Sequence, residues 1–308
     1  MREDWREKKV GTEKLAVKGS VPSQEADRLK ELGFVQNRGT DKFNCRVVTR
    51  SGRMDVPELK EITYMAEEYG EKEVILTADG TVEIKGISYG NVDKVLEHCR
   101  KHRISTGGTG ARVRPIATCM GKDCTYGILD SYALAEKLRE LFYVRLHNVE
   151  LPNKLEIAVS GCPNNCVDAD LFDIGIIGVK IPQCEPVNCM GCKTCAVEKR
   201  CPQAAAHVVN EKLKIRPDKC TKCGLCVGVC PFGTITKGMT AYRVVAGGNK
   251  GLQKREGHSF DRLFTTEESV LTIVDRLIGV YQEKGHEKEA FYETLDRIGF
   301  QNVEKMVL

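Results

Sequence analysis

Apolar residues recur along the first third of the chain at helical and then at alternating spacing. Residues 22–32 place Ala26, Leu29 and Leu32 on one face, with Ser20 as cap and Gly33 just past the end, which predicts a helix. Residues 43–50 alternate, putting Phe43, Cys45 and Val47 on one side of a strand and Arg46 and Arg50 on the other. Asp55 caps a predicted helix that runs to Tyr69 and ends at Gly70, with Leu59, Ile62 and Ala66 inward. Two short strands, 73–77 and 81–85, flank Asp79-Gly80, a two-residue hairpin signal. Asn91 then caps a helix whose Val92, Val95, Leu96 and Cys99 form one apolar stripe. Strand, helix, hairpin, helix is the order of a small α+β unit ending near Ser105. Residues 1–19 are charged and patternless and read as an extended arm.

The pattern after Ser105 is different. A glycine-rich turn holding Gly107, Gly108 and Gly110 leads into Arg112 and Arg114, and such glycines let backbone approach an anionic group or simply make a loop. A helix is predicted over 131–142, with Leu134, Leu138, Leu141 and Phe142 at core spacing. In the strand 154–160, Lys154 and Glu156 share one face and Leu155, Ile157 and Val159 the other. That strand runs into Ser160-Gly-Cys-Pro-Asn-Asn-Cys166, and the nearly all-apolar run 173–181 follows, as in a strand buried on both faces. Farther on come a strand over 241–246, a second glycine-rich turn from Gly247 and Gly248 through Lys250, a capping box Thr265-x-x-Glu268 opening a helix to Tyr281, and a last helix around Phe291 and Leu295. Residues 184–237, with their short spacings and turns, interrupt this pattern as an insert.

Composition narrows the class. The chain of 308 residues can bury a sizeable core, and its net charge of +4 is too mild to argue for nucleic acid. No run of eighteen apolar residues occurs and the first residues lack the apolar core of a signal peptide, so a cytoplasmic protein with no membrane span is expected.

Fifteen cysteines change the picture more than anything else. An odd number without a secretion signal argues for metal ligation in a reducing compartment rather than a disulfide framework. Cys189-x2-Cys192-x2-Cys195-x5-Cys201-Pro and Cys220-x2-Cys223-x2-Cys226-x3-Cys230-Pro form an internal repeat. Zinc sites pair two CxxC units without the third cysteine or the trailing proline, so the repeat reads as two [4Fe-4S] clusters. The fourth cysteine of each run crosses over in such units, giving one set of Cys189, Cys192, Cys195 and Cys230 and another of Cys220, Cys223, Cys226 and Cys201. Cys119, Cys124, Cys162 and Cys166 remain as the thiolates of a third cluster, with a zinc site or unused thiols as the other uses of such a set. Cys45 and Cys99 fall on apolar faces and read as core, and Cys184 as structural. His98 and His102 have metal-ligand spacing on a helix, with no third ligand nearby in the sequence.

Ser160-Gly-Cys-Pro-Asn-Asn-Cys166, with its surroundings from about Phe43 onward, resembles the signature of the siroheme-containing sulfite and nitrite reductases. The ferredoxin insert and Tyr242-Arg-Val-Val-Ala-Gly-Gly248 resemble most closely the C subunit of the anaerobic sulfite reductases and related dissimilatory-type proteins. The resemblance implies an α+β fold: an arm and helix over 1–40, a ferredoxin-like half-domain over 41–104, a siroheme and [4Fe-4S] domain over 105–183 and 238–308, and an inserted two-cluster bacterial-type ferredoxin domain over 184–237. It implies siroheme and three [4Fe-4S] clusters, with Cys166 bridging its cluster to the siroheme iron. Arg46, Arg114 and Lys154 match substrate-facing cations, and Gly107, Gly108, Gly110, Gly247 and Gly248 would let backbone approach the macrocycle. The activity implied is six-electron reduction of sulfite to sulfide or of nitrite to ammonia, fed by a ferredoxin or flavoprotein donor, in a homo-oligomer.

The chain departs from that pattern at three points. Cys119 and Cys124 enclose four residues where the family more often has five, a difference a loop absorbs. Glu156 stands where the sulfite reductases carry a second lysine, and Asp79 lies where an arginine usually meets a siroheme carboxylate. A carboxylate near 4 Å from a bound anion repels it by roughly 4 kcal/mol at an effective dielectric of about 20. An altered substrate, or an electron-transfer or sensing role, is the alternative that these two positions raise.

Overall fold

The computed structural model describes residues 21–146 and 149–308. The predicted arm over 1–19 and the predicted cap Ser20 lie outside the described residues. The chain divides into two units, the first comprising residues up to Val47 with Asp55–Ile75 and Val82–Gly107, the second Val48–Met54, Leu76–Thr81 and Gly108–Leu308.

The first unit holds α1 (Ser23–Glu31), β1 (Phe34–Gln36), β2 (Lys42–Val47), α2 (Val56–Tyr69), β3 (Val74–Leu76), β4 (Val82–Ser88) and α3 (Val92–His102). Its sheet has the order β1-β2-β4-β3, antiparallel where β2 pairs with β1 and β4. Alternation in β2 buries Phe43, Cys45 and Val47 as the sequence predicts. The edge strand β1 is unexpected, because three residues are too few to display a period. Asp55 and Glu58 form a capping box that starts α2. Leu59, expected inward, is instead 49% exposed in the first turn, and the buried face runs through Ile62, Met65 and Ala66. Val92, Val95 and Cys99 are the buried stripe of α3. Burial pushes the Cys99 thiol up to about 11 and the Cys45 thiol well above its ordinary value, so both behave as core residues.

The second unit is built on β5 (Ala117–Thr118), α4 (Ser131–Leu138), β6 (Ile157–Ser160), β7 (Ile174–Gln183), α5 (Ala196–Arg200), β8 (Ala206–Val209), β9 (Lys212–Ile215), β10 (Lys237–Ala246), β11 (His258–Ser259), α6 (Glu267–Lys284), α7 (Phe291–Ile298) and α8 (Phe300–Val307). The main sheet runs β11-β10-β7-β6-β5, with β5, β6 and β7 parallel and β10 antiparallel to its neighbours. One face of the sheet, through Ile157, Val159, Ile174, Ile176, Tyr242 and Val244, packs on α4, α6, α7 and α8 in the large core. Small residues dominate the other face, where Ala117, Ala158 and Ala169 pack with Phe172 and Ile177. Gly175 belongs to this side, and a Cβ there would meet the Ala169 carbonyl at 2.0 Å, so the chain segment after Cys166 presses directly on the strand.

Helix α4 continues into a π-helical stretch, Arg139–Val144, which keeps Phe142 in the core. The cap of α6 is Thr266, whose hydroxyl accepts from the Ser269 amide at 3.2 Å, one residue later than the predicted Thr265. The predicted last helix is two, divided at Gly299, whose φ of +84° ends α7.

Strands β7 and β10 form one long antiparallel ladder, from Gln183 opposite Lys237 to Ile174 opposite Ala246. The cysteine-rich segment is therefore the tip of a hairpin, a place where added chain costs little loop-closure entropy. It has its own small core of Val197, Ala206, Leu213 and Ile235, against which Cys184 also packs. Backbone bonds from Lys180 N to the Lys222 carbonyl at 2.7 Å and from Glu185 N to the Thr234 carbonyl at 2.8 Å fasten it to β7 and its extension. Among the described residues no helix is long and apolar enough to cross a membrane.

Candidate functional site

Parallel strands end together, and ligands of open α/β sheets gather at their carboxyl ends. Cys119 directly follows β5, and Gly161-Cys162 directly follows β6. The segment after β6 is a compact double turn: Asn165 N donates to the Cys162 carbonyl at 3.1 Å, and Asp168 N to the Asn165 carbonyl at 2.8 Å. The Asn165 side chain fixes it further, accepting from Ala169 N at 2.9 Å and donating to Asp170 at 2.6 Å. Cys162 is buried and Cys166 exposed at the end of this turn.

A cavity of about 800 Å³ opens here, lined by Cys119, Cys124, Cys162 and Cys166. Ser160, Phe172, Thr77, Asp79 and Lys250 also line it. None of the fifteen cysteines is in a disulfide. Burial works against the Cys119 thiolate, but hydrogen bonds from the Gly161 amide at 3.1 Å and from neighbouring Ser131 bring it below its ordinary value. Burial holds the Cys162 thiol above its ordinary value. Four soft sulfur donors, one already accepting an N–H···S bond, suit an iron–sulfur cluster. The volume lies in the range of cofactor pockets.

Lys250 is the cation on this wall, and sequence reasoning passed over it as the basic flank of a turn. Gly248 N donates to the Phe172 carbonyl at 3.1 Å, and Asn249 and Arg255 exchange two backbone bonds of 3.0 Å. The loop so pinned lays the Lys250 ammonium 3.4 Å over the Phe172 ring. Burial lowers its pKa against the pull of Glu156, Asp79 and Asp173. Asp173, also unanticipated, is buried and accepts from Glu156 N at 2.8 Å, and burial pushes its carboxyl up to about 7. Its only sequence signal is an acidic residue at the head of an all-apolar strand.

Among the cations expected to face substrate, Arg46 lies in the first unit and pairs with Glu83 at 2.7 Å. Arg114 donates its guanidinium to the Gly108 carbonyl and its backbone amide to the Leu155 carbonyl at 2.8 Å. Lys154 pairs with Glu156 at 3.0 Å and is half exposed. Neither Arg114 nor Lys154 lines the cavity. Asp79 does, and its carboxylate accepts from Thr77 and from the Thr81 hydroxyl at 2.9 Å.

The glycines sort by use. Gly107 N donates to the Arg46 carbonyl at 3.2 Å within the first unit. Gly108 turns tightly against Pro115, and Gly110 faces open space. Gly247 and Gly248 dock on the carbonyls of Asp173 and Phe172, and a Cβ on Gly248 would meet the latter at 2.4 Å.

In the hairpin-tip insert, Cys189, Cys192, Cys195 and Cys230 line one cavity of about 190 Å³. Cys201, Cys220, Cys223 and Cys226 line another of about 20 Å³. Each set has its own N–H···S bond, from Leu213 N to Cys189 and from Ala205 N to Cys201, both 3.2 Å.

A model of the nitrite and sulphite reductase 4Fe-4S domain matches residues 109–308, and one of the nitrite/sulfite reductase ferredoxin-like half domain matches residues 35–102. The chain is 31% identical over 275 residues to the coenzyme F420-dependent sulfite reductase of Methanocaldococcus jannaschii, covering 88% of this chain but only 43% of that protein. An uncharacterized protein of the same organism is 30% identical over 287 residues, covering 85% of this chain and 90% of its own length. A solved structure of dissimilatory sulfite reductase I superposes with a TM-score of 0.69 at 18% identity, over 86% of this chain and 69% of that one, and shares the fold. The α+β half-domain and the larger strand-end cysteine domain are thus both accounted for, and the chain belongs to the nitrite and sulfite reductase family.

Proposed function

We propose that this chain is a siroheme- and iron–sulfur-dependent reductase of the anaerobic, dissimilatory type that takes sulfite to sulfide. The observation carrying this reading is the cavity at the strand ends, where Cys119, Cys124, Cys162 and Cys166 meet the cation Lys250. Those four cysteines would hold one [4Fe-4S] cluster, with Cys166 shared with the siroheme iron. The two crossed sets in 184–237 would hold two more, as a relay inserted between 105–183 and 238–308. When bound, siroheme and its coupled cluster supply an open iron position and electrons delivered one at a time. Hydrogen sulfite, six electrons and six protons balance to hydrosulfide and three waters.

The chain's own residues would hold the anion and manage those protons. Lys250, solvent-exposed but held on the cavity wall over the Phe172 ring, offers its positive charge to an anion there. Its lowered pKa also eases loss of a proton to a departing oxygen. Asp173, with a carboxyl near 7, can exchange a proton at neutral pH. Arg46, Arg114 and Lys154 complete the proposed anion-facing set. The glycines at 107, 108, 110, 247 and 248 would give the macrocycle close backbone approach. A ferredoxin or flavoprotein donor, a homo-oligomeric assembly and a cytoplasmic setting belong to the same proposal.

The test is anaerobic reconstitution with iron, sulfide and siroheme, followed by the visible spectrum and a reduced-viologen assay with sulfite and with nitrite. A siroheme spectrum with sulfide production is expected; turnover of neither anion would end the reading. One observation favours a second reading. Glu156 engages Lys154 at 3.0 Å, which takes a substrate-facing cation out of play and fits nitrite, another substrate, or an electron-transfer or sensing role. Activation of sulfite turnover by Glu156→Lys would support it, and robust wild-type sulfite reduction would exclude it.

A further inference from the structure

His98 and His102 are one helical turn apart on α3, and Glu61 of α2 supplies what the sequence alone did not place beside them. Glu61 Oε2 lies 2.8 Å from His98 Nε2 and 3.5 Å from His102 Nδ1. One ligand atom from each of the three residues lies within 4.8 Å of the others. The two imidazoles are stacked at 4.4 Å, and the Tyr64 ring covers His98 from the far side at 5.0 Å. All three belong to the first unit, which contains none of the cysteines assigned to iron.

We infer that Glu61, His98 and His102 form a binding site for a borderline divalent transition ion of the zinc class. Zinc takes imidazole nitrogen at about 2.0–2.1 Å and carboxylate oxygen at about 2.0–2.2 Å, which puts tetrahedral ligand atoms roughly 3.3–3.5 Å apart. The His102–Glu61 separation already has that value. The His98–Glu61 hydrogen bond would open by about half an ångström as the ion replaces the shared proton. Histidines at i and i+4 on one helix face are a recurrent zinc pair, and a carboxylate from a second element completes a three-ligand set. His98 is 14% and His102 31% exposed, so the fourth position is open to water. The ion would tie α2 to α3, which already meet inside at Met65 and Cys99.

The probe is Zn²⁺ added to the full chain after anaerobic iron–sulfur reconstitution, followed by chelator washing, metal analysis and X-ray absorption at the zinc edge. Wild type is compared with Glu61→Gln, His102→Gln and the double variant His98→Gln/His102→Gln, so that any thiol-bound zinc cancels in the difference. The expected result is one additional zinc per wild-type chain with an imidazole and oxygen shell. A loss of affinity of at least about tenfold in each variant is also expected, with iron content unchanged as proof of folding. Zinc retention and shell identical in wild type and the double variant, or a shell of sulfur alone, would overturn the site.

Discussion

Cysteines gather fourfold at the strand ends and again, twice, in the hairpin-tip insert, yet the spaces around them differ greatly. The strand-end cavity measures about 800 Å³ and the insert cavities about 190 and 20 Å³. All three have an N–H···S bond to one sulfur, so the donor chemistry is the same. Room and charge set them apart: only the large cavity has space beyond a cluster, and Lys250 and Asp79 stand on its wall. On the proposed reading, metal binding is a property of the thiolates, whereas room for a macrocycle and an anion would come from the loops around them. The largest effect that would break this comparison is ligand loss. Cys162→Ser should abolish turnover, by at least about 100-fold, and remove the siroheme band. Cys192→Ser should remove about a third of the iron and leave that band in place. Iron analysis and visible spectra of the two variants decide it, and equal loss of siroheme in both would erase the distinction.

The next effect is in stability. Asp173, beside the cavity wall, has a carboxyl near 7 against an ordinary value of 3.8. The folded chain therefore keeps a proton between about pH 4 and 7 that the unfolded chain releases. Its contribution favours folding most below pH 4 and declines as pH rises through 7, by up to about 4 kcal/mol. Asp173→Asn keeps an acceptor for the Glu156 amide and should flatten this slope, making the variant the more stable form at pH 8. Denaturant midpoints of both proteins across pH 5 to 8 measure the difference. Lys250→Ala should then cost about 100-fold in kcat/KM for the anion, with partial recovery in Lys250→Arg. Lys193→Ala, at an exposed position of the insert, should change it by no more than about twofold.

How much of this was legible follows from where each signal lives. The grouping of the insert's cysteines into two sets of four could be read directly because they repeat at short spacing, and spacing survives in a linear sequence. In the strand-end set Cys162 and Cys166 were legible from their own motif, but their company with Cys119 and Cys124 only by what the repeat left over, since β5 and β6 bring Cys119 and Cys162 together from distant segments. Alternation correctly separated Leu155, Ile157 and Val159 from Lys154 and Glu156, but it cannot say that those two charges pair with each other. Asp173 escaped because its place is set by burial, and Lys250 because its place is set by the docking of one loop on Phe172, neither of which leaves a periodic trace. Leu59 misled because an apolar residue in a first turn has the right spacing even where it is only half covered.

The smallest expected effect concerns Lys154 and Glu156, and it sharpens the contrast between a cation held on the wall and one held by its neighbour. Their ion pair spans 3.0 Å, but the lysine side chain is 51% exposed, and water screens such pairs to at most about 1 kcal/mol. Glu156→Gln should therefore leave stability within about 1 kcal/mol of wild type. Its consequence should appear in anion binding, because the ammonium is released while a nearby negative charge disappears. A fall in sulfite KM of about threefold to tenfold with little change in kcat is the expected signature of stronger uniform binding. In Lys154→Ala the same Glu156→Gln substitution should lose part of that benefit, since the released cation is absent. Equal KM changes in both backgrounds would mean that Glu156 acts on the anion through its own charge, and that Lys154 has no part in holding it.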